Sequence, residues 1–343
     1  MKEPPLTPPQ GEDSGARVPS LEGRVRERLR VKSMSKVIGT GETVTDFIIR
    51  NGKPEDMVCG GSCYNSMISI GRCGVEACFV GEVGDDKLGL RTRQMLEDNG
   101  VSADYLVMTK GKKSQLSLAF LNERNDAEYV FYKDHASDIF PTTLPQPERG
   151  DVLLYGSFFA INPVIHPALS NYVGRAKRAG CTVYYDVNFR TSHMADRDAV
   201  MPHVIDNLSK ATIVKGSDED FLNLFGLSDT TDIYNRIRKY CPTLIITRGS
   251  REVSLITPTL RKDYAVGKTE VVSTVGAGDN FNAGIVCGLI ANGADAACIG
   301  ALPEQAWDRL IATATQFAQE VCGTTRNYIS TDSGRRFRNA NIR

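Results

Sequence analysis

Residues 273–284 read STVGAGDNFNAG and continue directly into the apolar run IVCGLI at 285–290. Small residues let backbone N–H groups converge, and a helix starting here would direct the positive end of its dipole at the same turn. Such turns bind anions, typically phosphate oxygens. Asp279 stands on the rim of this predicted anion site, where a carboxylate is unfavourable unless it has chemical work, such as accepting a proton. The stretch therefore predicts that a sugar hydroxyl and a nucleotide phosphate meet at Asp279.

Two upstream features could supply the hydroxyl side of that meeting point. Gly60 and Gly61 allow the close approach of a small ligand, and Asn65 behind them offers both a donor and an acceptor. Asp46 lies beside the apolar triplet at 47–49. It is either a solvated strand-end carboxylate or a group that accepts paired hydrogen bonds from a diol.

The order of β-rich and helical segments predicts the fold class. From residue 151 onward short apolar strands alternate with helical periodicity, and polar or glycine residues recur where each strand ends. In open parallel sheets that edge binds ligands, so we predict a doubly wound α/β domain. A strand near Phe47 and a hairpin at 117–132 lie outside this rhythm. They predict a small inserted sheet, about 44–58 and 115–133, that serves as a lid, as an oligomer interface, or as both.

Length and composition exclude several classes of protein. The 343 residues are 41% hydrophobic and 24% charged, which is typical of a globular chain. Lys and Arg equal Asp and Glu at 41 each, so no basic field predicts binding to nucleic acid or to an anionic membrane. No apolar run approaches the ~18 residues of a membrane span. The nine scattered cysteines predict reduced thiols in a cytoplasmic enzyme.

The ends of the chain differ in composition from the middle. Residues 1–33 are rich in proline and charge, and we expect them to form a disordered extension. The predicted domain then runs over 34–332, with a tail at 333–343.

Taken together, these segments resemble the ribokinase-like, or PfkB, family of sugar kinases over roughly residues 35–330, and among its members the fructokinases. The resemblance implies a doubly wound, mostly parallel sheet flanked by helices, with an inserted β-sheet lid. The residues that carry it are Gly41-Glu42, Asp46, Gly60-Gly61, Asn65, Arg72, residues 81–89 and 118–120, Asp186-x-Asn188-x-Arg190, Lys215-x-Ser217, Thr247-x-Gly249 and Thr274-x-Gly276-Ala277-Gly278-Asp279.

The resemblance implies transfer of the ATP γ-phosphate to a sugar hydroxyl. Asp279 would act as the general base. The N–H groups of Gly276, Ala277 and Gly278 would form an anion hole over the transferring phosphoryl group, and Arg190 would neutralise phosphate charge.

The resemblance also assigns two binding regions and the cofactors. Mg²⁺ would be bound to ATP and would contact Asp220 through water. A monovalent cation is a further candidate. The sugar would contact Asp46, Gly60, Gly61, Asn65, Phe120 and Lys133. The nucleotide would contact Lys215, Ser217, Thr247, Gly249 and Thr274.

Several positions depart from the family pattern, and they leave the adenine pocket, the cations and the phosphoryl donor open. They are Ser273 where the family has Asp, Asp220 where it has Glu, Lys133 where fructokinases have Arg, Glu252 where Gly is frequent, and residues 322–327, which lack the usual Gly-Ala ending.

The first hypothesis is therefore an ATP-dependent kinase of fructose or a related ketose. The alternatives are a kinase of 2-keto-3-deoxygluconate, ribose or a nucleoside, and a non-catalytic sugar-sensing protein on the same fold. The expected partners are small molecules, with neither nucleic acid nor membrane, and a second copy docked through the lid sheet.

Overall fold

The computed structural model describes Met1 and residues 35–122, 127–132 and 139–342. Apart from Met1, the expected extension at 1–33 lies outside the described residues. The strands are β1 Val37–Thr40, β2 Val44–Arg50, β3 Lys53–Gly60, β4 Ala77–Gly84, β5 Val101–Ser102, β6 Leu106–Thr109, β7 Leu116–Leu121, β8 Ala127–Tyr132, β9 Val152–Gly156, β10 Thr182–Asp186, β11 Ile213–Ser217, β12 Leu244–Thr247, β13 Glu252–Ile256 and β14 Arg261–Ala265.

The helices alternate with these strands along most of the chain. They are α1 Ser62–Arg72, α2 Lys87–Asp98, α3 His166–Ala179, α4 Arg197–Lys210, α5 Asp218–Phe225, α6 Thr230–Ile237, α7 Ala277–Ala291, α8 Glu304–Cys322 and α9 Thr331–Asn341, with single 3-10 turns at Phe158–Ile161, Thr191–Asp196 and Ile299–Ala301.

The larger sheet has the strand order β14-β13-β12-β11-β10-β9-β1-β4-β5, and β6 also pairs with β4. Its strands are parallel from β12 to β6, whereas β13 and β14 pair antiparallel at one edge. Because β1 lies between β4 and β9, the chain winds outward from β1 in both directions. The predicted doubly wound α/β fold is therefore confirmed.

Both faces of this sheet are covered, which explains why its strands read as continuous apolar runs. Successive residues point to opposite faces: Val37 and Leu154 belong to one buried cluster, and Ile38 and Leu153 belong to the other. Helices α1, α2, α7, α8 and α9 contribute to the first cluster, and α3 to α6 contribute to the second.

Helix α7 is fixed by unusually close contact with α8. A Cβ atom on Gly284 would stand 2.4 Å from the Ala314 Cα, and one on Gly288 would stand 2.4 Å from a Leu310 methyl carbon. Glycine at these two positions therefore allows the backbone of α7 to lie close against α8. Residues 280–289 of α7 are all buried. The amino end of α7 is consequently held in one place relative to the sheet.

A second, four-stranded sheet has the order β3-β2-β7-β8, in which β2 and β7 are parallel and the other pairs are antiparallel. It comprises the segments predicted to form the inserted sheet. The hairpin turn at Asn125-Asp126 lies outside the described residues.

The predicted boundary at residue 332 needs correction. Helix α9 begins at Thr331 and packs on the domain: a Cβ on Gly334 would stand 2.5 Å from the Arg72 carbonyl oxygen, and the Phe337 ring lies edge-on to Phe317 at 5.8 Å. The apolar anchor Phe337 is hidden in the sequence among arginines, so the segment resembled a tail.

All nine cysteines are free thiols. None of the helices in the described part of the chain is both long and apolar enough to cross a membrane.

Candidate active site

The strand order reverses at β1, and ligands of open α/β sheets bind outside the carboxyl ends of the strands at such a point. The residues after β3, the end of β10 and the end of β11 all converge here on the amino end of α7. Ser62, Asp186 and Lys215 each contact a residue in the first two turns of α7.

The turn before α7 depends on Gly276. This residue is the N-cap and has φ 80°, a left-handed conformation that favours glycine. A Cβ here would also stand 2.8 Å from the Asn327 carbonyl oxygen. Ala277 donates its N–H to the Thr274 carbonyl at 3.3 Å, and the Ser273 hydroxyl accepts from Val275 N–H at 3.2 Å. Ser273, which departs from the family pattern, thus holds the turn.

The Asp279 carboxylate is oriented by two side chains of α1. Ser62 Oγ donates to its Oδ1 at 2.9 Å, and Asn65 Nδ2 donates to its Oδ2 at 2.8 Å. Ser66 Oγ adds a bond of 2.8 Å to the Asp279 backbone oxygen. Asn65, which the sequence predicted for the sugar, thus lies beside Asp279, whereas the contacts of Ser62 and Ser66 were missed by the sequence interpretation.

A signal for these serines is present in the sequence. Ser62, Asn65, Ser66 and Ser69 recur at i, i+3, i+4 and i+7, the spacing of one helix face. Ser69 continues the same stripe by donating to Asn280 at 2.5 Å. A polar stripe on an otherwise buried helix indicates a polar partner, and α7 is that partner.

Burial raises the pKa of Asp279 to about 6. The hydrogen bonds from Asn65 and Ser62 oppose this shift, as does the nearby Lys215 ammonium, while the Asp186 carboxylate reinforces it. A carboxylate with this pKa is mostly ionised at neutral pH and is a stronger base than an exposed aspartate.

A buried cation lies beside the same helix end. Lys215 Nζ is 3.1 Å from Asp186 Oδ1, and it is 3.2 Å from the point where a Cβ on Gly278 would stand. The other Asp186 oxygen accepts from Asn282 Nδ2 at 2.7 Å, and Asn282 Oδ1 accepts from Tyr184 OH at 3.1 Å. The sequence assigned Lys215 to the nucleotide. It assigned no role to Asn282 or Tyr184, because their link to Lys215 crosses from α7 to β10.

Asp46 is held by the small sheet. It stands directly opposite Ser117 in the β2–β7 register, and Ser117 Oγ donates to its Oδ1 at 2.5 Å. Burial raises the pKa of this carboxyl group, and the Ser117 bond lowers it. The second oxygen, Oδ2, faces Gly60, where a Cβ would stand 3.3 Å away from it. Asp46 and Gly60, both predicted for the acceptor site, therefore lie together.

Gly61 forms the junction between the small sheet and α1. It has φ 130°, and a Cβ on it would stand 2.3 Å from the Glu42 carbonyl oxygen, so only glycine fits. The chain passes from Gly60 beside Asp46 to Ser62 on Asp279 within three residues, which connects the two parts of the candidate acceptor site.

The structure does not bring Phe120 to the Asp46 side of the small sheet. Phe120 lies three positions after Ser117 on β7, so its side chain points to the opposite face. Phe131 is the residue paired with Ser117 from β8, and it therefore shares the row and the face of Asp46. Among the described side chains, Phe131 is an aromatic on the Asp46 face. The sequence analysis chose Phe120 instead because the register of the hairpin cannot be read from the sequence. Lys133 lies outside the described residues.

Apart from the buried Lys215, the residues predicted for the nucleotide are half-buried or exposed. Ser217 caps α5: its Oγ accepts from Asp220 N–H at 3.1 Å while the Asp220 carboxylate accepts from Ser217 N–H at 2.6 Å. Thr247 ends β12, and Gly249 in the turn after it has φ 57° with nothing within 4 Å of a Cβ position. These positions follow neighbouring strands, as the predicted sheet edge required.

Arg190 and Thr274 are both exposed. Arg190 precedes the 3-10 turn after β10, and its neighbour Thr191 donates to Glu219 at 2.9 Å. The exposed guanidinium is available to a ligand at this edge of the sheet.

Over the residues that the structure describes, no group of three or more His, Cys, Asp or Glu side chains is arranged to hold a metal ion. Asp220 is buried, and one of its oxygens is used in the helix cap. Asp220 therefore suits a metal ion that is coordinated mainly by a bound ligand and by water, and that contacts the carboxylate through a water molecule.

Comparison with known proteins agrees with this geometry. The model of the family described as "pfkB family carbohydrate kinase" matches residues 34–329. Probable fructokinase-4 of Arabidopsis thaliana is 27% identical over 273 residues, covering 75% of this chain and 82% of that protein. Aminoimidazole riboside kinase of Salmonella typhimurium is 26% identical over 259 residues, covering 75% and 81%.

Two solved structures share the fold. Aminoimidazole riboside kinase from Salmonella enterica, complexed with aminoimidazole riboside and an ATP analogue, has a TM-score of 0.77 at 23% identity and covers 88% of this chain and 99% of its own. Fructokinase from Vibrio cholerae O395, bound to fructose, ADP and calcium ion, has a TM-score of 0.77 at 19% identity and covers 89% and 99%.

Proposed function

The chain belongs to the pfkB family of carbohydrate kinases and is a sugar-kinase phosphotransferase, and we propose that it transfers the ATP γ-phosphate to a hydroxyl of a ketohexose, with fructose as the first candidate. Fructokinases are prominent among the relatives, at 27–28% identity, and a solved fructokinase with bound fructose shares the fold. The observation that carries the proposal is the Asp279 carboxylate, held by Ser62 and Asn65 at the amino end of α7.

In the proposed reaction Asp279 accepts the proton of the attacking hydroxyl. Its two hydrogen bonds fix the carboxylate, while its pKa of about 6 keeps it ionised at neutral pH and basic enough to accept the proton. The hydroxyl oxygen then forms a bond to the γ-phosphorus as the bond from that phosphorus to the bridging oxygen of ADP breaks.

The charge on the transferring group would be stabilised from three sides. The amino end of α7 directs N–H groups and its dipole toward it. The Lys215 ammonium, aligned by Asp186, adds a fixed positive charge beside Gly278. Arg190 would approach from the exposed edge of the sheet, where a guanidinium can bind phosphate oxygens in pairs.

The donor is proposed to be ATP, contacting Ser217, Thr247, Gly249 and Thr274 at the carboxyl ends of β11 and β12 and in the turn before α7. Mg²⁺ would supply charge neutralisation on the phosphates and would be reached from Asp220 through water, which suits a buried carboxylate with one oxygen already engaged. We also propose a monovalent cation, to which no residues are assigned.

Incubation of the protein with Mg-ATP and a panel of ketoses, aldoses, ribosides and sugar acids tests the function. We expect a phosphorylated ketohexose to form fastest. Absence of any phosphorylated product would overturn the proposal, and sugar binding by calorimetry without turnover would favour a sugar-sensing protein on the kinase fold.

A riboside is the second candidate acceptor. It is favoured by the aminoimidazole riboside kinase, which resembles this chain both in sequence and in fold. Faster turnover of a riboside than of fructose in the same panel would select it.

We also propose that the outer face of the small sheet binds a second copy of the chain. Phe120, Val130 and Tyr132 point to this face and are 41%, 40% and 54% exposed, and β8 is the last strand of the sheet order. Sedimentation velocity should give a dimer for the wild-type chain and a monomer for Val130→Asp. A wild-type monomer at micromolar concentration would contradict the proposal.

A further inference from the structure

The C-terminal segment between α8 and α9 reaches into the acceptor side of the site. The backbone of Asn327 braces the anion turn: its carbonyl oxygen accepts from Asn280 Nδ2 at 2.8 Å, and it lies 2.8 Å from where a Cβ on Gly276 would stand. The side chain of the same residue leaves this turn and extends toward Gly60, where its Nδ2 is 3.3 Å from the Cβ position.

Within the described residues, the Asn327 side chain has no evident structural role. The residue is 5% exposed, yet within the described residues its amide group makes no hydrogen bond. The amide atoms are not among the enclosed polar atoms that lack a partner, so they still reach solvent and are open to a partner outside the chain. The neighbouring groups indicate which one.

The three atoms nearest the Gly60 Cβ position are Asn327 Nδ2, Asp46 Oδ2 and the Val44 carbonyl oxygen, at 3.3, 3.3 and 3.7 Å. They form one amide group and two acceptors around a space that glycine leaves open. A hydroxyl group both donates and accepts, so it can donate to a carboxylate oxygen while accepting from the amide. A ligand carboxylate would instead face the Asp46 carboxylate and a carbonyl oxygen, which repel it.

We propose that Asn327 is an acceptor-binding, specificity-determining residue, which together with Asp46 binds hydroxyl groups of a neutral sugar across Gly60. This inference rests on the proposed kinase function and deepens it. It favours neutral sugars and ribosides over sugar acids. Asn327 acts on the acceptor through its side chain, whereas its backbone serves the anion turn, so the two roles can be separated experimentally.

The test compares Asn327→Ala with Thr325→Ala, an exposed residue of the same segment, as the control. Asn327→Ala keeps the backbone oxygen that Asn280 binds. We expect the KM and the calorimetric Kd for the preferred sugar to rise about 10-fold or more, the change typical of one lost hydrogen bond to a substrate. The KM for ATP and kcat at saturating sugar should stay within about 3-fold, and Thr325→Ala should match the wild type.

A panel of deoxy analogues of the preferred sugar adds a measurement that a purely structural role would leave unchanged. Wild type should bind the analogue that lacks the contacted hydroxyl about 10-fold less tightly than the parent sugar. Asn327→Ala should discriminate between the two less strongly than wild type, because only Asp46 is left to contact that hydroxyl.

Unchanged sugar affinity in Asn327→Ala, or preserved discrimination against every deoxy analogue, would overturn the inference. A lower kcat with unchanged sugar Kd would do so too, since it would mean that the residue acts only on the anion turn. Failure of the kinase function itself looks different, because wild type would then form no product. Calorimetry still compares sugar binding by the two proteins in that case, and the absence of binding to wild type would overturn both proposals.

Discussion

The two sides of Asp279 differ in how much of each is formed before a ligand arrives. On the acceptor side Asp46, Asn65 and Asn327 are each at least nine-tenths buried, and Ser62 and Ser117 fix the two carboxylates through side-chain hydrogen bonds. Three separate elements supply the residues of this side: the small sheet, α1 and the segment between α8 and α9.

On the donor side, by contrast, Arg190 and Thr274 are exposed, and the turn at Gly249 has open space around it. Lys215 is the exception, since Asp186 holds it from within the sheet. In the proposed reaction, a preformed acceptor side favours selectivity for the sugar, and the open donor side is completed by the nucleotide itself. Substitutions on each side test whether a residue acts on the side to which the geometry assigns it.

The largest effect is expected for Asp279→Asn, which removes the base at the boundary of the two sides. Turnover should fall by ~10²–10⁴ while the sugar Kd changes little, measured by coupled assay and calorimetry. Asp295→Asn, a change of the same type in an aspartate that pairs with Arg149, is the control and should retain activity. Turnover close to that of wild type would refute the assignment of the base.

Lys215→Met should separate the donor side from the acceptor side. We expect kcat to fall about 10²-fold, because a preorganised charge on the transferring group is lost, with the sugar Kd unchanged. Steady-state kinetics in ATP and sugar, with calorimetry for the sugar, measure this. Weakened sugar binding together with normal turnover would move Lys215 to the acceptor side.

Asn282→Ala tests Lys215 indirectly, because Asn282 binds the Asp186 carboxylate that holds the Lys215 ammonium. Asn282 bridges Tyr184 and Asp186, so its loss should leave Lys215 less well oriented and lower kcat by about 10-fold. Asn207→Ala, which also removes a fully buried amide, from a bond to the Ala160 carbonyl, controls for general destabilisation. An equal fall in kcat for both variants would mean that Asn282 acts only through stability.

The acid limb of the pH–rate profile reports on Asp279. Since the base must be ionised and burial raises its pKa to about 6, kcat/KM should fall toward tenfold per pH unit as the pH decreases below about 6. The residual activity of Asp279→Asn should lack this limb. A limb near pH 4 in wild type would instead indicate an ordinary exposed carboxyl group.

The same pKa has a consequence for stability. Because burial raises the pKa of Asp279 in the folded protein from 3.8, the ordinary value for aspartate, to about 6, the folded state binds more protons between these two values. The contribution of Asp279 to stability therefore decreases as the pH rises through that range. Asp279→Asn should therefore have a Tm at pH 8 at least as high as that of wild type, measured by calorimetry.

The smallest effect is expected at the small sheet, where two phenylalanines provide a matched pair. Phe131→Ala should raise the sugar KM by about 3- to 10-fold if this aromatic covers the sugar, whereas Phe120→Ala should leave it unchanged. The opposite result would mean that the sheet presents its other face to the site when a sugar binds.

The sequence predicted the features that depend on local chemistry. The turn at 276–279, the two glycines at 60–61 and the polar ends of successive strands all have spacing that identifies their conformation, and the structure places them on one edge of the sheet. The serine stripe on α1 was equally visible, because helical spacing alone shows that Ser62 and Ser66 share a face with Asn65.

Other features depend on which elements meet, and no local pattern encodes that. Asn327 reaches Gly60 only because α8 and α9 return the chain to the anion turn. The choice between Phe120 and Phe131 depends on strand register, which a shift of one residue would reverse. The anchoring of α9 by Phe337 likewise depends on a partner, Phe317, on another helix.

The segment around Asn327 has a consequence for how such an enzyme can diverge. Its support of the anion turn comes from main-chain atoms, which every residue type supplies, whereas the group facing Gly60 is a side chain. A single codon change at this position can therefore alter the ligand-facing surface while the catalytic helix keeps its brace. Descendants of one ancestral gene could explore new acceptors there without first losing their chemistry.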